Sequence, residues 1–344
     1  MENRNREEIE KELHCLRKKY SKPFNRKRLL RAVALILTWV INTKYINMLF
    51  SYQRTGEKVL EKYDRLAGEY VRSLEKEVSG SEKTLSVFNH EIHFVSKKVL
   101  GERRIQYIAN DILRPLNLHN MTLLDVGAGE LTTLVRLAKA MPELKSISAL
   151  ELSWSRIAVG RNFAVGNKVM PDNLVVGTAT HLPFPDNSFD IIFTSHCLEQ
   201  ANLDKWQIIQ ELYRVARRYI VLLEPSWELG SKYQKRRMNT KGYLKGLDSV
   251  IKKLNLNLIR HELLPYSTNP DNRTAAYIIK IDYKNEMRNQ CSSLSCPRCK
   301  VNTIRKGDYE FCRTCGRLYP IVLGIPCMHP NNSVLASRFE DFTR

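Results

Sequence analysis

The chain has 344 residues, 43% of them apolar and 26% charged, an ordinary balance for a folded protein that excludes disorder throughout. That length exceeds what one compact core needs, so a medium-sized domain with appended modules is expected. The formal charge of +19 is uneven: residues 111–210 carry 8 basic and 10 acidic side chains, so the excess sits in the flanks, where it could face nucleic acid, an anionic membrane, a phosphorylated acceptor or only water.

In chain order, residues 1–28 read as a polar, basic helix, and the charged start MENRNREEIEKELH lacks the apolar stretch of a secretory signal. The most apolar run, Ala32 to Ile41, is about half the roughly 20 residues that a membrane span requires. A buried helix is the first reading of it. The preceding cluster Lys22, Arg26, Lys27, Arg28 and Arg31 keeps an in-plane membrane anchor as the alternative. Helical pattern continues to residue 78, breaks at Ser79-Gly80-Ser81 and resumes from Thr84 to Leu116. Residues 1–95 are therefore expected to form a basic helical extension, read first as a cap over an acceptor pocket and otherwise as an oligomerisation arm or peripheral membrane contact.

From Met121 the pattern alternates strand and helix. Strands are expected at 121–126, 146–152, 173–179, 189–195 and 219–225, with helices LTTLVRLAKAM, SWSRIAVGRNFAV and DKWQIIQELYRVARR between them. A basic helical region from Tyr233 to Leu254 and two further strand-like runs, LNLIRHELL and AAYIIKIDY, complete the set. Such alternation predicts a parallel sheet covered on both faces.

The stretch TLLDVGAGELTTL, residues 122–134, reads as a buried strand, a glycine turn and a helix, the layout of a nucleotide-cofactor pocket. The dinucleotide fingerprint G-x-G-x-x-G would place a third small residue where Thr132 stands, which argues against a dehydrogenase. The spacing Asp125-x-Gly127-x-Gly129 instead resembles the first motif of the class I S-adenosylmethionine methyltransferases. The block HLPFPDNSFDIIFTSHCLEQ, residues 181–200, is similar to the region around the fourth strand of the ubiquinone-biosynthesis type, or type 11, members of that class. The resemblance covers about residues 100–283. It implies an α/β fold, a seven-stranded, mostly parallel Rossmann-like sheet, in a domain spanning 96–285.

It also implies roles. Asp125, Gly127 and Gly129 would lie against the methionine portion of S-adenosylmethionine. Glu151, closing the second strand, would accept the ribose hydroxyls. Thr178 and Ala179 would border the adenine, although Thr178 departs from the aspartate common at that place, so contact there must come from backbone or hydroxyl. Ser195 ends the fourth strand beside the cofactor. Methyl transfer to a protonated acceptor needs a base, and His196 and Glu199 are the candidates, with Glu224 behind them; a histidine that only packs beside the cofactor is the alternative for His196, and His181 reads as a loop residue. No Asn/Asp-Pro-Pro-Tyr follows the fourth strand, which disfavours exocyclic-amine methylation. Ser195-His196-Cys197 stands there in place of Pro-Cys, so Cys197 reads as a small core residue and not as a nucleophile.

Six of the eight cysteines fall within residues 291–327. Cys296-x-x-Cys299 and Cys312-x-x-Cys315 form two knuckles that can close a tetrahedral, structural zinc site. Cys291 and Cys327 lie outside them. With no export signal, this clustering argues for metal and a cytoplasmic location over disulfides. The run GRLYPIVLGIPCM resembles the small zinc-ribbon partner that activates several methyltransferases, which implies a ribbon over 290–330, built into this chain and followed by a tail at 331–344.

Two acceptor classes stay open: a small or carrier-linked saccharide or lipid methylated at oxygen or nitrogen, and RNA bound by the basic flanks and the ribbon. A non-catalytic protein that keeps the cofactor fold is a third reading.

Overall fold

The computed structural model describes residues 56–79, 83–117, 119–201, 203–282 and 293–342. The apolar run at 32–41, its basic cluster and Cys291 lie outside the described residues. No described helix is long and apolar enough to cross a membrane.

Among the described residues two short helices come first, α1 (Gly56–Arg65) and α2 (Glu69–Ser79). They are followed by a hairpin of β1 (Lys83–Phe88) and β2 (Glu91–Ser96), with Phe88 paired to Glu91. The helical expectation for residues 84–96 is therefore corrected. Asn89 and His90 both adopt positive φ, 50° and 68°, the tight hairpin turn that matches strand twist, and Val87 exchanges main-chain hydrogen bonds with Ser267. Helix α3 (Lys97–Tyr107) then runs through a π-helical turn, Ile108–Leu113, toward the first strand of the main sheet.

That sheet has seven strands in the order β5-β4-β3-β6-β7-β9-β8. They are β3 (Thr122–Val126), β4 (Ser146–Glu151), β5 (Asn173–Val176), β6 (Phe189–Ser195), β7 (Ala216–Pro225), β8 (Asn257–Leu263) and β9 (Thr274–Lys280). Pairings among β3 to β7 are parallel, and β9 runs antiparallel to both β7 and β8. Leu123, Leu124, Ile191, Ile192, Phe193, Val221 and Leu222 are all fully buried, as a sheet covered on both faces demands. The covering helices are α4 (Thr132–Ala140), α5 (Trp154–Gly166), α6 (Lys205–Val215), α7 (Lys232–Lys241) and α8 (Leu247–Lys253).

Two helix expectations shorten. α6 stops at Val215 because Ala216 already pairs with Phe189, so residues 216–218 belong to a strand. The expected helix Tyr233 to Leu254 divides into α7 and α8 at Gly242 and Gly246, both at positive φ, which glycine adopts without steric cost.

Residues 293–342 form a small β module. Its path is β10 (Ile304–Lys306), β11 (Tyr309–Cys312), β12 (Arg317–Val322) and β13 (Ile325–Pro326), while β14 (Val334–Leu335) pairs with β12. The expected tail is thus part of the module: besides β14, Arg313 makes a forked ion pair with Glu340. The module extends the edge of the main sheet. Val176 of β5 bridges Cys327 in parallel, and the Met328 amide donates to the Val176 carbonyl at 2.7 Å. Ile157, Val176, Ile325 and Cys327 pack together beneath this junction.

Candidate functional site

Strands β3, β4, β5 and β6 end side by side, and the site is built on their carboxyl ends. Gly127 and Gly129 turn at φ 77° and 58°. A Cβ at Gly127 would meet Cys197 Sγ at 2.3 Å, and one at Gly129 would meet an Arg156 guanidinium nitrogen at 2.5 Å, so the backbone is pressed against the floor and side wall of the turn. Cys197 therefore fills space under the turn. Burial pushes its thiol well above the usual range, and the nearby carboxylates Glu224, Glu151 and Asp125 push the same way, which keeps it protonated and unreactive.

Glu151 stands at the centre. One carboxylate oxygen accepts the Gly129 amide at 2.9 Å and the other the Ser153 amide at 3.1 Å. A carboxylate offers about four acceptor positions, so lone pairs remain for two ribose hydroxyls. Asp125, 2% exposed, is pushed up to about 8 by burial and then by the charge of Glu151. Thr178 and Ala179 follow β5 and are half-buried, and Thr178 Oγ1 shares a 3.0 Å hydrogen bond with Thr180 Oγ1. The site thus fits S-adenosylmethionine: a glycine cradle, an acid beside it and a short polar edge after β5.

His196 follows β6 at φ 55°, a left-handed conformation uncommon for a side chain with a Cβ. Its Nδ1 pairs with the Glu199 carboxylate and its Nε2 lies 2.8 Å from Thr274 Oγ1. Asn272 Nδ2 donates to the same Glu199 oxygen at 3.2 Å. Although burial raises Glu199, the hydrogen bond and charge of His196, the Asn272 amide and Arg237 outweigh it and lower its pKa. The structure thus brings the two expected base residues into one hydrogen-bonded pair. Glu224 is fully buried behind them, with Oε1 accepting from Thr194 Oγ1 at 2.8 Å and the Cys197 amide at 3.0 Å. His181 sits apart, joined to Thr180 Oγ1 at 3.1 Å.

Several residues at the site carried no sequence signal. Arg156, 8% exposed, has its guanidinium 5.2 Å from the Tyr63 ring centroid and 4.8 Å from that of Tyr70. Asp64 of α1 accepts from Ser153 Oγ at 2.6 Å. Tyr63 is pushed up to about 12, chiefly by burial, with Tyr70, Glu199 and Tyr243 adding to it and Arg156 opposing. It therefore feels groups of both the glycine-turn side and the His196–Glu199 side. In sequence α1 looks like any charged helix, because what marks Tyr63 is a partner about ninety residues away.

The block 181–190 owes its shape to Arg214. That guanidinium donates to the Leu182 and Phe184 carbonyls at 3.0 and 2.8 Å, to Asp186 at 2.8 Å and to Glu211 at 2.9 Å. Glu211 in turn accepts the Leu182 amide and Lys300 Nζ, both at 2.7 Å, and the Ser295 amide donates to the Pro183 carbonyl. The turn after β5 is thus braced from the cysteine module.

In that module the sulfurs of Cys296, Cys299, Cys312 and Cys315 all lie within 4.8 Å of one another, and Cys296 Sγ is 3.8 Å from Cys315 Sγ. Tetrahedral zinc with bonds of about 2.3 Å separates its sulfurs by about 3.8 Å, so the donor set fits zinc.

Residues 124–221 match the model of the methyltransferase domain family. A demethylmenaquinone methyltransferase of Shouchella clausii is 36% identical over 105 residues, which cover 30% of this chain and 44% of that protein. An ajmaline N-methyltransferase of Rauvolfia serpentina is 37% identical over 97 residues, 27% of this chain and 32% of its own. The matched part spans about half the length of the curated relatives, or less. Among solved structures, the magnesium protoporphyrin IX methyltransferase of Synechocystis, with bound S-adenosylhomocysteine, aligns over 64% of this chain and 98% of that one at 12% identity and a TM-score of 0.46. Residues 124–221 are thus similar to the methyltransferase domain family and lie on a mostly parallel, seven-stranded Rossmann-like sheet.

Proposed function

We propose that this protein transfers a methyl group from S-adenosylmethionine to an oxygen or nitrogen atom of a small or carrier-linked acceptor of saccharide or lipid type. The observation that carries the reading is Glu151, whose carboxylate is fixed by the Gly129 amide at the glycine turn and keeps lone pairs for a ribose. Asp125, Gly127, Gly129, Thr178, Ala179 and Ser195 would complete the cofactor contacts. Bound there, S-adenosylmethionine supplies a methyl group on a sulfonium for in-line displacement. The residues then have to orient the acceptor, exclude water and take a proton.

Glu199 holds His196 Nδ1–H, which leaves Nε2 as a proton acceptor directed at the Thr274 hydroxyl. An acceptor hydroxyl or amine that displaces Thr274 from Nε2 would deliver its proton there, and the adjacent Glu199 would stabilise the resulting imidazolium. In the module, Cys296, Cys299, Cys312 and Cys315 would hold a structural zinc that keeps β13 on the edge of β5. Its likeness to the activator ribbons supports a built-in form of the same support.

The test is calorimetric titration with S-adenosylhomocysteine, followed by transfer of labelled methyl groups into separated lipid, glycan and RNA fractions. No binding by the intact protein sinks the reading. An RNA acceptor is the second reading, favoured by α7, where Lys232, Tyr233 and Arg236 are exposed and Lys235 lies 5.9 Å over the Trp227 ring. Absence of RNA binding at low salt removes it.

A further inference from the structure

Residues 229–247 carry six basic side chains, Lys232, Lys235, Arg236, Arg237, Lys241 and Lys245, and no acid. Four of them form two like-charged pairs on α7, Lys232 with Arg236 and Arg237 with Lys241, at the four-residue spacing where equal charges repel. Lys232, Arg236 and Lys241 are exposed and make no ion pair with a described carboxylate. The helix therefore holds a positive face that its own fold does not neutralise.

This face also carries apolar groups between its charges. Tyr233 is 54% exposed, and Leu229, just before α7, is exposed as well. Lys245 joins the face to a second segment: its ammonium lies 5.0 Å over the Trp227 ring, while its carbonyl accepts Lys205 Nζ at 2.8 Å. On either side of Lys205, Leu203 is 72% exposed and Trp206 is exposed with Lys253 Nζ 5.8 Å over its ring. Indole, phenol and leucine side chains set among lysines and arginines suit the boundary of a bilayer, where the rings sit at headgroup level and the long cationic chains reach phosphates. Single-stranded RNA needs bare aromatic faces in succession. Here both indoles already lie under lysine ammoniums, which leaves Tyr233 as the exposed ring of α7.

The same face borders the His196–Glu199 pair. The Leu244 amide donates to the Glu199 carbonyl at 2.9 Å. Gln234 of α7 clasps the main chain of Arg273, accepting from its amide at 3.1 Å and donating to its carbonyl at 3.0 Å. Arg273 stands between Asn272 and Thr274, the partners of Glu199 and His196.

We propose that α7, with Leu203, Trp206, Trp227 and Leu229 beside it, is a docking surface for an anionic phospholipid bilayer, and that it sets the His196–Glu199 pair next to the membrane that holds the acceptor. The inference rests on the lipid reading of the acceptor above. Electrostatic attraction brings the chain to the headgroups, and the exposed rings and leucines hold it there.

The experiment is co-sedimentation of the full chain with vesicles of phosphatidylcholine, alone or with about one-third phosphatidylglycerol, near physiological salt. The native protein should bind the mixed vesicles at least about 10-fold more tightly than the neutral ones. Lys232→Gln, Arg236→Gln and Lys241→Gln combined should weaken that binding by about 100-fold, because each basic residue near an anionic surface contributes about fivefold. Leu203→Ala with Trp206→Ala should weaken it by about 10-fold through lost apolar contact. Affinity for S-adenosylhomocysteine should stay within about twofold in the triple variant, whose altered side chains are exposed, and shows that the fold is intact. No binding to the mixed vesicles, or binding that survives the triple replacement, overturns the surface. Binding of a single-stranded oligouridylate that the triple variant loses, with no binding to vesicles, overturns it in favour of RNA. Labelled methyl groups that enter glycan alone, while vesicle binding depends on α7 as expected, overturn the lipid reading of the acceptor and support the surface.

Discussion

The carboxylate of Glu130 accepts the main-chain amide of Val71 at 2.8 Å and that of Gly68 at 3.0 Å. Glu130 follows the second glycine of the cofactor turn, and Gly68 and Val71 open α2. The turn thus caps a helix that precedes it by some sixty residues, satisfying two of the amides that a helix start leaves bare. Replacing Glu130 by Ala should cost about 1–2 kcal/mol in denaturant unfolding and make the α1–α2 segment more susceptible to limited proteolysis. Unchanged stability and cleavage would refute this role.

Glu151→Gln keeps the shape of the side chain and removes the charge that would bind a ribose. Binding of S-adenosylhomocysteine is expected to weaken by about 10- to 100-fold in calorimetry, the size of two weakened hydrogen bonds to a charged group. Affinity within about twofold of the native value would take the ribose role away from Glu151.

The ligand-free protein should lose stability as pH rises toward 8. Asp125 and Glu224, both raised to about 8 by burial, keep protons that the unfolded chain gives up near its ordinary carboxylate values. The folded state therefore binds more protons between those values and about 8, and stability falls with pH across that window. Glu199 has the opposite sign. Its pKa is lowered, so its contribution is present above the ordinary carboxylate range and is lost as pH falls through the folded value. Melting temperature followed from pH 5 to 8 should decline, as protonation linkage requires, and Glu224→Gln should flatten the decline. An identical slope in the variant would count against a buried, protonated Glu224.

One equivalent of zinc per chain is expected on metal analysis, bound by Cys296, Cys299, Cys312 and Cys315. Chelation should unfold the module and uncover the Val176 edge, lowering the melting temperature of the whole chain and reducing S-adenosylhomocysteine affinity. Retained affinity after complete metal removal would show that the module supports something other than the cofactor site.

Arg214→Met keeps the length of the side chain and leaves the Leu182 and Phe184 carbonyls and the Glu211 carboxylate without their shared donor. A loss of about 2–3 kcal/mol is expected in denaturant unfolding, because buried partners are stranded. A loss below about 0.5 kcal/mol would show that Lys300 and the Leu182 amide suffice to hold Glu211.

Strands β3, β4, β6 and β7 were legible because each is a run of apolar residues ended by a turn, and the four-cysteine spacing was legible because it is local. The hairpin at residues 83–96 was not. Its helical-looking charges gave no cue, and the decisive event is a two-residue turn at Asn89–His90 together with pairing of Val87 to Ser267. Residues 216–218 depart from the helical expectation for a related reason, since their helical propensity yields to the open position beside Phe189 on the sheet.

At the site the same division holds. Asp125, Gly127, Gly129 and Glu151 stand at or just after strand ends, where the family resemblance points to them, and so does His196, while Glu199 lies on the short helical turn that follows. Arg104, Tyr63 and Arg156 were invisible because arginines and tyrosines in amphipathic helices are ordinarily solvated, and Glu130 because an acid in a turn is too; only long-range packing strips their water away.

By itself the sequence determined the alternation that builds the sheet, the glycine turn that presses backbone against a ligand and the cysteine spacing that suits one metal, because each is a property of neighbouring residues. Tertiary structure alone decided that β13 extends the β5 edge, that α1 and α2 close on the glycine turn and that His196 and Glu199 meet Thr274 and Asn272. These are contacts between distant segments, fixed by burial and hydrogen-bond satisfaction, which no local pattern encodes.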